Sequence, residues 1–128
     1  MKLLLVRHGE TQWNRSNRFQ GQNDIPLNRR GLAQTRQTAR SLAKNPCRAV
    51  YSSPLVRTMQ VAEEISQAVD RPVSKVDGLK ELDLGDLEGV SGEEMREGWR
   101  QVYDAWRDNP AGVSMPNGES LAQLQDRA

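Results

Sequence analysis

Short apolar segments alternate with longer amphipathic ones along this chain, and this alternation restricts the fold more than any other feature of the sequence. Three short runs of branched residues are predicted to be strands: 3–6, 48–52 and 72–76. Apolar residues at helical spacing predict four helices: 29–44, 54–69, one from Ser91 to Pro110, and one from Glu119. Such alternation is typical of an α/β fold with right-handed crossovers. We therefore expect a single domain, 1–128, with three layers: a mostly parallel sheet and helices on both faces.

Local signals mark where the helices begin. Asn28 is a predicted N-cap, and Ser53 followed by Pro54 predicts the start of the second helix. Ser91 and Glu94 have the spacing of a capping box. In the helix that follows, tryptophans fall on the apolar face, so we interpret them as core anchors.

The only histidine, His8, follows directly after the first predicted strand. Ligands of open α/β sheets bind at the carboxyl ends of the strands, so His8 is a candidate site residue, although a lone histidine is often only a packed or surface residue. Arg7 precedes it, and Arg57 lies in the first turn of the helix after the second strand. If the two strands are neighbours, two guanidinium groups and a helix N-terminus meet beside His8. That arrangement predicts a phosphate pocket.

The composition excludes several classes of partner. Lysine and arginine total 18 against 17 acidic residues, so nothing draws the chain generally to nucleic acid or to anionic membranes. Cys47 is the only cysteine, which leaves no disulfide framework, and with one histidine a metal centre is not expected. The first apolar run is too short for a signal peptide. We expect a cytoplasmic protein that binds a small molecule, without cofactor or metal; its oligomeric state stays open, including a homo-oligomer.

Several motifs occur in a fixed order: Arg7-His8-Gly9-Glu10-Thr11, Trp13-Asn14, Asn17-Arg18-Phe19-Gln20-Gly21, Asp24-Ile25-Pro26-Leu27 and Ser52-Ser53-Pro54-Leu55-Val56-Arg57-Thr58. Together they resemble the histidine phosphatase superfamily, the phosphoglycerate-mutase-like proteins. Residues 81–89 and 116–120 are similar to the family's acid-bearing loop and to the segment that leads into its last helix. The resemblance covers nearly all of the chain and is nearest to the small phosphatases, including the α-ribazole phosphatases.

The resemblance implies a set of catalytic residues. His8 would be the nucleophile that forms a phosphohistidine, and Arg7 and Arg57 would hold the phosphoryl oxygens. Glu81 would protonate the leaving group and then take a proton from water. From the residues alone, three other carboxylates of the acid-bearing loop are alternatives for that role: Asp83, Asp86 and Glu88.

Further residues are assigned less directly. Thr11, Asn14, Gln20 and Gly21 are predicted substrate contacts or loop-shaping residues, and Gly9 lets the backbone approach the phosphate. The segment from Gly89 to Gly118 is short beside the long insertion of the mutases. The predicted function is therefore hydrolysis of a small phosphomonoester. The alternatives are a mutase, which is an isomerase, and a catalytically impaired phosphate-binding protein.

The sequence departs from the family pattern in one respect. The family's pocket has a second histidine, carried near the carboxyl end by a strand, and this chain has no second histidine. We expect the chain to be an N-terminal portion of a longer protein, an incomplete domain lacking the C-terminal strand and helix. Its activity alone should then be badly impaired, and an exposed apolar face should favour self-association.

Overall fold

The computed structural model describes residues 2–128 as a series of helices joined by loops and two short strands. The elements follow in chain order: α1 (Gln12–Arg15), α2 (Arg29–Ala43), β1 (Val50–Ser52), α3 (Val56–Val69), β2 (Val73–Lys75), α4 (Gly92–Gly98), α5 (Arg100–Asp108) and α6 (Leu121–Arg127). Three 3-10 turns lie in the connections: Asp77–Leu79, Gly85–Leu87 and Pro110–Gly112. Within residues 2–128, every helix is too short or too polar to cross a bilayer.

The sheet is parallel, as the alternation of elements predicts. β1 pairs with β2 in a register that places Val50 opposite Val73 and Ser52 opposite Lys75. α3 connects the two strands and packs on both, and α2 packs on α3. The α/β class is therefore confirmed, and in the described residues the sheet has two strands.

The prediction of a buried strand at residues 3–6 is wrong. This segment joins no ladder within residues 2–128, and its side chains face solvent: Leu3 is 74% exposed, Leu4 43%, Leu5 88% and Val6 41%. The alternation of these values is typical of extended backbone. A strand is stable only when neighbours pair with its backbone groups, and neither β1 nor β2 does so here.

Helix α2 begins where its cap predicts, whereas α3 begins later than predicted. The Asn28 side chain accepts from the Gly31 N–H at 2.9 Å. Ser53 does not cap α3; its hydroxyl bonds the Thr58 hydroxyl at 2.7 Å. The N–H of Val56, the first residue of α3, donates instead to Asp24 Oδ1 at 2.6 Å. An aspartate 32 residues away thus replaces the predicted serine cap.

The helix predicted from Ser91 to Pro110 is two helices. The capping box of Ser91 and Glu94 starts α4, as predicted. The helix then breaks at Trp99, whose backbone (φ −124°, ψ 37°) is not helical, and α5 continues from the next residue. The preceding Gly98 weakens a helix interior, which places the break there. α6 begins at Leu121 with Ser120 as N-cap, two residues after the predicted start.

Two apolar clusters form the core. The first lies between α2, α3 and the sheet: Leu27, Ala39, Val50, Val61, Ala62, Ile65 and Val69. The second gathers the acid-bearing loop, α4 and the segment before α6: Leu82, Leu87, Met95, Val113 and Met115. Trp99 and Trp106 pack against the second cluster, so the interpretation of the tryptophans as core anchors is confirmed.

Candidate active site

The turn that carries His8 is held against the N-terminal end of α2. The Glu10 carbonyl accepts from the Asn28 N–H at 2.9 Å, and the Glu10 N–H donates to Gln34 Oε1 at 2.9 Å. Gly31 lies so close that a Cβ added to it would stand 2.1 Å from the Glu10 carbonyl oxygen. The backbone of Glu10 therefore packs directly on the backbone of Gly31. These contacts hold the turn that carries His8 against α2.

One nitrogen of the His8 ring is committed to the backbone. Nδ1 lies 2.7 Å from the Gly9 carbonyl oxygen. A carbonyl oxygen only accepts, so Nδ1 carries the proton and the neutral ring presents the lone pair of Nε2. Burial is the largest influence on the pKa of His8 and lowers it, and the charges of Arg57 and Arg7 lower it further. The hydrogen bond to Gly9 and the charge of Glu81 act in the opposite direction, but the net shift is downward. The lowered pKa favours the neutral form of the His8 ring.

The guanidinium of Arg57 is fixed by two backbone carbonyls. Nη1 donates to Asn23 O at 2.8 Å and Nη2 to Gly21 O at 2.6 Å, and the residue is 1% exposed. Its buried Nε–H has no acceptor among the described residues. Burial lowers the pKa of Arg57, but a guanidinium keeps its charge in proteins. Arg57 is thus a buried cation of fixed orientation whose Nε–H is unpartnered among the described residues.

The loop that holds Arg57 is itself held by two carboxylates, Asp24 and Glu88, for which the sequence predicted no such contact. Asp24 binds the first N–H of α3, as described above, so the helix offers one N–H fewer to an anion than predicted. Glu88 accepts from the Gln22 N–H at 2.7 Å. Both charges act on Arg57. In the sequence, only the position of Asp24 and Glu88 within the family's motifs could have indicated this role.

Glu81 is an exposed residue of the acid-bearing loop, and its charge lies within electrostatic range of His8 and Arg57. Its Oε1 accepts from the Leu82 N–H at 2.8 Å, and its carbonyl oxygen accepts from Gln22 Nε2 at 3.2 Å. The charge of Glu81 acts on both His8 and Arg57. The structure therefore brings together the four residues predicted as catalytic: Arg7, His8, Arg57 and Glu81.

The four predicted substrate contacts lie in the loop beside this group. Thr11 is completely buried and caps α1, and its hydroxyl and N–H both bond to Asn14 Oδ1. Gln20 Oε1 accepts from the Thr11 hydroxyl, and Gly21 supplies the carbonyl that holds Arg57. These contacts shape the loop, and direct contact with a substrate stays a prediction for all four.

A cleft of about 300 Å³ opens beside His8. It is lined by Arg7, His8 and Gly9 on one side and by α2 side chains on the other: Gln34, Thr35, Gln37 and Thr38. Val61 of α3 completes the lining, and Arg57 and Glu81 are not among the residues that line this cleft.

Comparison with known proteins identifies the family. Residues 3–128 match the model of the histidine phosphatase superfamily (branch 1), and the chain belongs to this family. The family predicted from the motifs is therefore confirmed.

The relatives carry more than one activity in their names. Phosphoserine phosphatase 1 of Hydrogenobacter thermophilus is 39% identical over 127 residues, which are 99% of this chain and 60% of that protein. Probable phosphoglycerate mutase GpmB of Salmonella paratyphi C is 42% identical over 134 residues, covering 99% and 59%. This chain thus spans about 60% of the length of these curated relatives.

Solved structures share the fold. The α-ribazole phosphatase of Shigella flexneri superposes with a TM-score of 0.82 at 27% identity, over 95% of this chain and 60% of that one. The phosphoglycerate-mutase-like fold class is therefore confirmed, and an α-ribazole phosphatase is among the structural relatives.

Proposed function

We propose that the protein hydrolyses phosphomonoesters of small metabolites through a phosphohistidine on His8. The observation that carries this proposal is the bond from His8 Nδ1–H to the Gly9 carbonyl, which leaves Nε2 as a free nucleophile beside the cations Arg57 and Arg7. A ring fixed in this tautomer needs no proton transfer before it attacks phosphorus. Family membership supports the same chemistry.

The first step transfers the phosphoryl group to the protein. Nε2 of His8 forms a bond to phosphorus while the bond from phosphorus to the ester oxygen breaks, and the protonated Glu81 carboxyl gives its proton to that oxygen. Arg57 and Arg7 stabilise the charge that collects on the other phosphoryl oxygens. The alcohol then leaves.

The second step restores the enzyme. A water oxygen bonds to phosphorus as the bond to Nε2 breaks, and the Glu81 carboxylate takes the proton that water loses. Inorganic phosphate leaves, and His8 and Glu81 return to their starting states. One carboxyl group serves both steps because the first step leaves it in the form that the second requires.

The test is to trap the intermediate. The chain is incubated with p-nitrophenyl phosphate and quenched in alkali, where phosphohistidine survives, and His8→Asn is treated identically. We expect phosphohistidine in the unchanged chain and none in the variant. Phosphate binding without any phosphohistidine would instead support the alternative of a phosphate-binding protein.

A mutase is the second candidate, because the relative described as a phosphoglycerate mutase is 42% identical. A mutase hands the phosphoryl group to a second hydroxyl, whereas a phosphatase hands it to water. Transfer from 2,3-bisphosphoglycerate to 3-phosphoglycerate that exceeds hydrolysis would reverse the order of the two proposals.

A further inference from the structure

Residues 78–83, which include the start of the acid-bearing loop, are bound by an ion pair that the chemistry above does not use. Arg127 in α6 donates from Nε to Glu119 Oε2 at 2.9 Å and from Nη2 to Glu119 Oε1. The two side chains are 26% and 14% exposed. A guanidinium that bonds both oxygens of a carboxylate has a fixed orientation, unlike most exposed ion pairs.

The same guanidinium binds the backbone on the N-terminal side of Glu81. Arg127 Nη1 donates to the carbonyl oxygens of Gly78 at 2.6 Å and Lys80 at 2.9 Å. Nη2 donates to the carbonyl oxygen of Glu81 itself at 2.9 Å. Three carbonyls within four residues thus converge on one side chain.

Glu119 binds the backbone on the C-terminal side. Its Oε1 accepts from the Asp83 N–H at 2.8 Å, and its own N–H donates to the Asp83 carbonyl at 3.0 Å. The neighbouring Gly118 packs so closely that an added Cβ would lie 2.3 Å from the same carbonyl oxygen. The backbone is therefore held on both sides of Glu81 by residues more than 30 positions further along the chain.

We propose that Glu119 and Arg127 are positioning residues that hold the Glu81 carboxylate in place beside His8 and Arg57. The inference rests on the function proposed above, because that function gives Glu81 its task. The pair acts through the backbone: the Glu81 carboxylate bonds the adjacent Leu82 N–H, so its location follows from that of the loop. Leu82 and Leu87 anchor the loop in the core, but Glu81 itself is exposed, and without the pair its backbone would be freer to move away from the reacting atoms.

A titration of His8 tests this placement without requiring turnover. His8 is the only histidine, so its ring resonances are unambiguous by NMR. The charge of Glu81 raises the pKa of His8, and therefore a displaced Glu81 lets that pKa fall. The proteins to compare are the unchanged chain, Arg127→Met, Glu81→Gln and the double variant.

The sign of the change distinguishes positioning from direct electrostatics. We expect Arg127→Met to lower the pKa of His8 when Glu81 is present and to cause no fall in the Glu81→Gln background. Removing the charge of Arg127 would by itself raise that pKa. An unchanged or raised pKa in Arg127→Met therefore overturns the proposal.

Two controls complete the titration. Arg100→Met removes the same side chain from an exposed ion pair with Asp104 in α5, and it should leave the pKa of His8 unchanged. If Arg127→Met loses its dispersed amide resonances, the milder Arg127→Lys, which keeps the charge but cannot bond both oxygens of Glu119 in the fixed geometry of a guanidinium, decides by the same criterion. A fall of the pKa in that variant supports the proposal, and no fall overturns it.

Kinetics separate this inference from the proposed function. Arg127→Met should slow hydrolysis of phenyl phosphate roughly tenfold or more beyond any effect on 2,4-dinitrophenyl phosphate, because only the poorer leaving group needs a proton. Equal slowing of both esters would contradict positioning of the acid. If the unchanged chain forms no phosphohistidine, the proposed function fails, and the titration still decides whether the pair places Glu81.

Discussion

The guanidinium of Arg57 donates to the carbonyl oxygen of Gly21 at 2.6 Å across 36 residues of sequence. Gly21 has a φ of +53°, in the left-handed region that glycine adopts without strain, and this conformation belongs to the turn that aims its carbonyl at α3. The loop and α3 are therefore joined through the side chain of Arg57. A substitution at Arg57 should therefore alter the conformation of the loop at Gly21, and a substitution at Gly21 should alter the position of the Arg57 guanidinium.

Replacing Arg57 by lysine should damage both stability and chemistry. Lysine keeps the charge but cannot donate to two carbonyls and an anion with the fixed geometry of guanidinium. Buried carbonyls left unpaired cost about 1–3 kcal/mol, and loss of an oriented donor costs about 10²–10³ in rate. We expect the free energy of unfolding in urea and the rate of phosphohistidine formation to fall accordingly. The same substitution at the exposed Arg36, Arg36→Lys, is the control. If both variants lost the same stability and the same rate, the role of Arg57 described here would be wrong.

The pKa of His8 predicts a specific dependence of stability on pH. Because the folded protein lowers this pKa, the unfolded chain binds a proton first as the pH falls below about 6.5. The contribution of His8 is therefore complete above pH 6.5 and is lost between that pH and the lower pKa of the folded state. Urea unfolding at pH 7 and pH 5 should show a larger loss for the unchanged chain than for His8→Gln. A smaller or equal loss would mean that the folded state does not disfavour the protonated ring.

Gly31→Ala should destabilise the protein, and the matched change Gly98→Ala should not. A Cβ at Gly31 would meet the backbone of Glu10, whereas a Cβ at Gly98 has no neighbour within 4 Å. Overpacking costs about 1–3 kcal/mol, and alanine gains roughly 0.5–1 kcal/mol over glycine in a helix. Thermal unfolding should give opposite signs for the two variants. The His8 resonances should shift only in Gly31→Ala, since only that change presses on the turn.

The exposed leucines near the N-terminus should cause self-association. Leu3 and Leu5 are 74% and 88% exposed, on backbone that pairs with no strand in residues 2–128. Apolar side chains beside unpaired backbone groups are a template for another strand. Sedimentation velocity should show association that increases with concentration. The double change Leu3→Lys and Leu5→Lys should suppress it, and a monomer at every concentration before any substitution would contradict this expectation.

Features set by neighbouring residues were predictable from the sequence. The Asn28 cap and the capping box of Ser91 with Glu94 depend on side chains three positions apart, and both are present. The alternation of elements correctly indicated parallel pairing of β1 with β2. The ordered motifs identified the family, whereas the catalytic roles of His8, Arg7, Arg57 and Glu81 stay predictions.

Features set by distant partners were not predictable. A strand at residues 3–6 needs a neighbour, which no local pattern supplies. Ser53 had the sequence of a cap, but the carboxylate of Asp24 reaches the α3 terminus instead. Arg127 donates hydrogen bonds to three carbonyls that lie 46 to 49 residues earlier in the chain. Hydrophobic periodicity and helix propensity carry no information about contacts over that separation.

The attachment of the acid-bearing loop to Glu119 and Arg127 also limits how the chain can be divided or transplanted. A version shortened before residue 119 would keep Glu81 in its sequence and lose the side chains that shape the backbone around it. Likewise, moving residues 78–88 into another scaffold would transfer a carboxylate without its support. The smallest portable unit for this carboxylate is therefore the loop together with residues 116–127, two segments that the chain order separates and the fold joins.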